Sequence, residues 1–297
     1  MSKHLDPQTL ARLQGLQVKA RHIVEGFIAG SHRSPHRGFS IEFAEHRDYA
    51  PGDDLRYVDW KVFGRTDKYH VKQFEDETNL ICNLVVDVSE SMRYQGPDSP
   101  LSKLEYAQSL TAALAWLILR QQDAVGLTTF DQEIRAILPP SGNPLQLQQV
   151  LEVLSTAETS SKTSMGPIFH DLATRLTRRG IVLVVSDFFD DVQSLMAGLR
   201  HLRYRRHDVI LLQVLDPAEI DFPFRRPTMF RGLEQMPQLL ADPLSIRKAY
   251  LREIQAFLDS LRGEALANRM EYCLARTDQP VDAVLRNFLH TRNATIH

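Results

Sequence analysis

Leu80-Ile-Cys-Asn-Leu-Val-Val-Asp87 is a nearly unbroken apolar run interrupted by one Asn, and Val-Ser-Glu-Ser follows it directly. A strand with one solvated face alternates apolar and polar residues. A continuous run of this length marks a strand covered on both faces, as in a parallel sheet flanked by helices. Parallel neighbours need long crossover connections, usually helical, so the rest of the chain must supply strand–helix units.

The order of segments downstream meets that requirement. Ser102 and Glu105 have capping-box spacing and open a helix running to about Arg120, with Leu104, Ala107, Leu110, Leu114 and Leu117 along it. Ala124–Phe130 reads as a strand and Ile134–Leu138 as its short hairpin partner. Pro144 opens the next helix, to Leu154, and a further helix spans about Pro167 to Arg179 and closes at Gly180. Ile181–Ser186 is again a buried strand, Gln193–Tyr204 a helix, and Val209–Leu215 a strand. Ile246–Ala267 is a long amphipathic helix, Glu271–Ala275 a strand, and Pro280–His290 a last helix. The alternation predicts an α/β fold with a doubly wound, mostly parallel sheet over residues 79–297.

Two smaller regions precede it. Residues 1–38 read as an N-terminal helical arm (Leu10, Leu13, Leu16, Ile23, Phe27) ending in a polar, basic loop. Residues 39–78 read as a β-rich insert, with Ile41 and Phe43 alternating with polar residues and Pro51-Gly52-Asp53 as a turn. Arg47, Asp53, Asp54, Arg56 and Asp59 lie around that turn beside Trp60, a density of alternating charge expected of an internal ion-pair clamp.

Charge and composition narrow the partners. With 35 basic and 37 acidic side chains the formal charge is −2, so no bulk field draws in nucleic acid or an anionic membrane. Cys82 and Cys273 alone make neither a disulfide framework nor a zinc set, and the N-terminus lacks the apolar core of a signal peptide. The greasiest window, Leu110–Leu119, is too short to span a bilayer. A cytoplasmic location is expected.

In an open α/β sheet, ligands bind beyond the carboxyl ends of the strands. Asp87, Ser89 and Ser91 occupy that position, and their carboxylate and hydroxyls form a hard-oxygen set suited to Mg²⁺. Two other loops carry matching chemistry, Ser160-Ser161-Lys162-Thr163-Ser164 and Ser186-Asp187-Phe188-Phe189-Asp190, from which Thr163 and Asp187 complete the set. A cation with so few charged ligands stays electrophilic and would take an acidic residue from elsewhere.

These five residues resemble the metal-ion-dependent adhesion site of von Willebrand factor A-like domains, an Asp-x-Ser-x-Ser followed by a Thr and an Asp. The resemblance implies that the hydroxyls touch Mg²⁺ (or Mn²⁺) and that the Asp residues act largely through water. A second resemblance covers about residues 20–190. Gly38-Phe-Ser-Ile-Glu42, Arg47-Asp-Tyr49, Pro51-Gly-Asp-Asp-Leu-Arg56, Val58-Asp-Trp60, Arg65 and Val71-Lys-Gln-Phe74 with Glu77 are similar to the signature of the bacterial domain-of-unknown-function 58 family. That family is typically von Willebrand A-like and often encoded beside MoxR-type AAA+ ATPases. The resemblance implies a non-enzymatic, metal-dependent protein-interaction module working with such an ATPase in complex assembly or remodelling.

Other readings compete. Asp-x-Ser-x-Ser after a strand also serves as a helix N-cap set. A metal-dependent phosphoesterase would use Asp87 as ligand or nucleophile, with Asp187 and Asp190 as further ligands. No phosphate-binding Gly loop, nucleophile elbow or His-Glu-x-x-His is present to support an enzyme. Arg200, Arg203, Arg205 and Arg206 with Tyr204 cluster at a helix C-terminus, where the dipole accounts for them without nucleic acid. His22, His32, His36 and His46 lack the spacing of a zinc site.

Overall fold

The computed structural model describes residues 15–21, 23–24, 46–48, 64, 69–72, 80–157, 164–230 and 239–295. The chain divides into two compact units, Ser34–Asn79 and the remainder. In the smaller unit β1 (His46–Asp48) pairs antiparallel with β2 (His70–Lys72), Arg47 opposite Val71. The proposed charge clamp at Asp53, Asp54, Arg56, Asp59 and Trp60 lies outside the described residues, as do Ile41, Phe43 and Thr163.

The larger unit contains β3 (Ile81–Asp87), α1 (Lys103–Arg120), β4 (Ala124–Phe130), β5 (Ile134–Ser141) and α2 (Gln146–Ser155). These are followed by α3 (Met165–Arg175), β6 (Ile181–Ser186), α4 (Val192–Tyr204), β7 (Asp208–Leu215) and the single turn α5 (Pro217–Asp221). A hairpin that sequence reasoning did not find, β8 (Thr228–Phe230) with β9 (Leu239–Ala241), precedes α6 (Pro243–Ala267), β10 (Glu271–Arg276) and α7 (Val281–Thr295). The main sheet runs β10-β7-β6-β3-β4-β5, parallel except for the edge strand β5. This is the expected doubly wound α/β sheet.

Alternate residues of each central strand feed two cores. Leu84, Val86, Leu183, Val185, Ile210 and Leu212 pack with α1, α2 and α7 on one face. Val85, Val182, Val184, Val209 and Leu211 pack with α3, α4 and α6 on the other. Each such side chain stabilises the fold by about 1.5–3 kcal/mol on burial, which explains the continuous hydrophobicity of these strands. The helical residues 15–21 and 23–24 join the first core through Leu16, Ala20 and Val24, spaced four apart.

Three boundaries differ from the sequence reading, each for a local reason. β5 continues through Pro139 and Pro140 to Ser141, because an edge strand has one unpaired side on which missing N–H groups cost nothing. α2 starts at Gln146 rather than Pro144, since Asn143 Oδ1 accepts from Leu145 N (2.9 Å) in a turn before the helix. α3 ends at Arg175, short of Gly180. Gly180 is required by close approach instead: a Cβ there would sit 2.3 Å from the Ile81 carbonyl oxygen.

The α3–α4 contact depends on a pair of glycines in the same way. A Cβ on Gly198 would lie 2.4 Å from the Gly166 carbonyl oxygen and 2.9 Å from Phe169 Cβ. Gly198→Ala is therefore expected to lower stability by about 1–3 kcal/mol, although alanine is the better helix former, because two helix backbones must separate to admit the methyl group. A fall in the urea midpoint with an unchanged m-value checks this.

Candidate functional site

The crossover connections diverge at β3. One leads to β4, and the chain later returns to place β6 on the other side of β3, so the topological switch point lies between the carboxyl ends of β3 and β6. Asp87 ends β3, while Ser186 ends β6 and Asp187 follows it. All three side chains are buried.

Asp87 Oδ1 accepts from Ser89 N (2.8 Å) and Oδ2 from Ser186 Oγ (2.5 Å). Burial, and next the nearby charge of Asp187, push the Asp87 carboxyl up from 3.8 to about 6, against the hydrogen bonds from Ser186 and Ser89. The chain thus keeps two carboxylates close together out of water. Beyond Asp87 the backbone enters a 3₁₀ turn, Glu90–Arg93, for which Ser89 is the N-cap residue. Its hydroxyl makes no capping bond; Ser89 Oγ instead lies 3.1 Å from Ser91 Oγ. The N-cap reading of the motif therefore does not account for the serine hydroxyls.

Asp187 Oδ1 accepts from Phe189 N (3.1 Å), and its carbonyl accepts from Gln213 Nε2 (2.8 Å). Phe188 is fully buried with φ of 55°, a left-handed conformation that costs a non-glycine residue about 1–2 kcal/mol. Such strain persists only where surrounding structure enforces it. Here it turns the chain sharply so that Asp187 and Asp190 serve different elements. Asp190 Oδ2 accepts from Met165 N (2.5 Å) at the start of α3, and Oδ1 from Asp191 N (2.7 Å). Asp190 is thus a helix-capping residue.

Sequence reasoning missed Lys103. As the first residue of a helix it looks like a surface lysine, yet it is 1% exposed and its ammonium donates to Asp187 Oδ2 (2.9 Å) and Glu219 Oε1 (2.7 Å). Burial works against its charge, but the two carboxylates outweigh it and hold the ammonium above the ordinary lysine range. Burial raises the Glu219 carboxyl, and Lys103 opposes that rise. Glu219 closes a capping box with Asp216 at the start of α5. Asp216 Oδ2 also accepts from Gly96 N (2.8 Å) and Thr277 Oγ1 (3.2 Å), tying the loop after the 3₁₀ turn to the ends of β7 and β10. No local pattern links Gly96 to Asp216 or Lys103 to Glu219, each pair more than a hundred residues apart.

Among the described residues no three His, Cys, Asp or Glu side chains converge in a way that would hold a metal. Asp87, Ser89, Ser91 and Asp187 form a different kind of donor set, two buried carboxylates and a hydroxyl pair, of the hard-oxygen type that suits Mg²⁺ or Mn²⁺. In the arginine cluster Arg203 donates to His207 O (2.8 Å) and pairs with Asp208 (2.9 Å) near the end of α4, a structural use.

Residues 45–256 match the family described as "Protein of unknown function DUF58". The chain belongs to that family. The strand order and antiparallel edge of this DUF58 protein make a doubly wound, mostly parallel α/β sheet. An uncharacterized protein of Mycobacterium bovis, Mb1516, is 28% identical over 221 residues, 73% of this chain and 68% of that one. YeaD of Bacillus subtilis, also uncharacterized, is 28% identical over 142 residues, 48% of this chain and 32% of its own. Among solved structures the chain is similar to the conserved hypothetical protein BatB from Bacteroides thetaiotaomicron (TM-score 0.46, 16% identity, 71% of this chain and 99% of that one). It is also similar to the vWF domain of the type V pili tip protein Mfa5 from Porphyromonas gingivalis (TM-score 0.40, 12% identity, 73% and 96%). Among the described residues no helix is long and apolar enough to cross a membrane.

Proposed function

We propose that this DUF58 protein is a non-enzymatic protein-interaction module that docks an acidic side chain of a partner through a divalent cation, Mg²⁺ or Mn²⁺. Asp87, Ser89, Ser91, Thr163 and Asp187 would hold the ion. One observation carries the reading: at the switch point of the sheet a fully buried Asp87 faces a second buried carboxylate, Asp187, and the loop between strand and helix adds two hydroxyls that capping does not use. Lys103 offsets the charge of Asp187 but not that of Asp87, whose carboxyl is buried beside it, and holding that second charge out of water is unfavourable. When bound, the cation would supply the counter-charge and an open coordination position for a partner carboxylate. The residues of the chain orient the donors: Ser186 and the Ser89 amide hold Asp87, and the Phe188 turn holds Asp187. The family resemblance supports a MoxR-type AAA+ ATPase as partner, in the cytoplasm, during assembly or remodelling of a complex. No observation favours the phosphoesterase; Asp190 accepts from the Met165 and Asp191 amides at the starts of α3 and α4.

Calorimetric titration with Mn²⁺ tests the reading. The unmodified chain is expected to bind the ion at one site, and Asp87→Ala with Ser89→Ala to bind it at least a hundredfold more weakly. Equal binding by both would sink the proposal. Capture of a purified MoxR-type ATPase should likewise require Mg²⁺ and be lost in the same variant.

A further inference from the structure

Lys103 is placed against the ordinary preferences of its residue type twice over. A lysine is rarely buried without need, and the first turn of a helix, where the dipole is positive, disfavours a cation. The geometry that overrides both is specific: one ammonium spans Asp187 and Glu219 at 2.9 and 2.7 Å, with the Phe189 and Tyr94 rings 5.1 and 5.9 Å away. Asp187 is also the carboxylate whose charge acts on Asp87. Around this one ammonium, then, stand a carboxylate of the proposed ion site and a carboxylate belonging to the turn after β7.

We infer that Lys103 is a tethered counter-cation that competes with the divalent ion for Asp187 and thereby sets how tightly the site holds metal. The inference rests on the metal-site reading above. With no ion bound, the ammonium neutralises Asp187 from within the fold. An ion binding beside Asp187 must share that carboxylate with a fixed positive charge, and Glu219 is the second partner on which the ammonium then relies. The site is thereby tuned toward exchange rather than permanent occupancy, suited to a contact that must be made and released. Glu219 also links it to the Asp216 turn, which holds Gly96 and Thr277, so occupancy at Asp187 and the order of that turn act on the same ammonium.

Mn²⁺ titrations of the full chain, followed by calorimetry with folding verified by circular dichroism, test this. Lys103→Met is expected to bind Mn²⁺ at least tenfold more tightly than the unmodified chain. The double variant Lys103→Met with Glu219→Gln keeps the net charge of the site, spares Glu219 an unpaired burial, and serves if the single variant does not fold. It is expected to bind several-fold more tightly, because the competitor is gone although the local charge is unchanged. Unchanged or weaker binding in these variants, with wild-type binding still abolished by Asp87→Ala and Ser89→Ala, overturns the competition and leaves the metal site standing. Mn²⁺ binding that is indifferent to Asp87 and Ser89, or absent from every variant, overturns the site itself and this inference with it.

Discussion

Lys103→Met is expected to lower the free energy of unfolding by about 3–5 kcal/mol at neutral pH when no divalent ion is supplied. The lysine is 1% exposed and Asp187 fully buried, so removing the ammonium strands one carboxylate out of water and leaves Glu219, at 15% exposure, nearly so. The same contact on the surface would be worth about 0–1 kcal/mol, which makes the size of the loss diagnostic. Its pH dependence follows from the orphaned acids. Without Lys103 the folded state holds their protons more tightly than the unfolded chain does, so the deficit is present at neutral pH and shrinks as acid protonates them. Urea denaturation of both proteins at several pH values measures it, and a loss within the surface-pair range would show that Asp187 and Glu219 are better solvated than their burial indicates.

Asp87→Asn has the opposite expected sign. The wild-type carboxyl is pushed from 3.8 to about 6 by burial and then by Asp187, so the folded protein binds this proton more tightly than the unfolded chain. Such a group carries no penalty when protonated in both states below about pH 4, and its penalty grows as pH rises through 6. The displacement corresponds to about 2–3 kcal/mol, fully felt above about pH 7. The substituted amide keeps the shape and an acceptor for Ser186 or Ser89 without the charge. In EDTA the variant should therefore exceed wild type by about that amount at pH 7.5 and match it near pH 4. Adding Mg²⁺ should raise the wild-type midpoint and leave that of the Asp87→Asn variant unmoved. Stability profiles that run parallel across this range would contradict the placement of Asp87 beside a second buried charge.

The two variants mark the limit of what was legible before the structure. The placement of Asp87, Ser89, Ser91 and Asp187 at or just beyond strand ends was readable, because the periodicity of each segment identifies where its strand stops. Ser186 was within the same segment, but its hydrogen bond to Asp87 crosses ninety-nine residues of sequence. Lys103 carried no signal at all: it lies inside the capping box of Ser102 and Glu105, and only the arrangement of α1 against β6 and α5 puts its ammonium between two acids.

Continuous apolar runs mark the strands of the main sheet, because burial on both faces demands them, and parallel pairing fixes the alternation with crossover helices, whereas the short β8–β9 hairpin carries no such run. The sequence by itself also placed the capping box at Ser102 and Glu105, a local arrangement of hydrogen bonds within one helical turn. The tertiary structure alone decided how far β5 extends along a free edge and why Gly180, Gly166 and Gly198 must be glycine, since those follow from backbones that approach only once the sheet is wound. It alone decided the charge balance of the site. Local patterns describe what a residue does to its own segment, whereas the energy of a buried carboxylate such as Asp187 depends on which distant charge the fold brings to it, here the Lys103 ammonium at 2.9 Å.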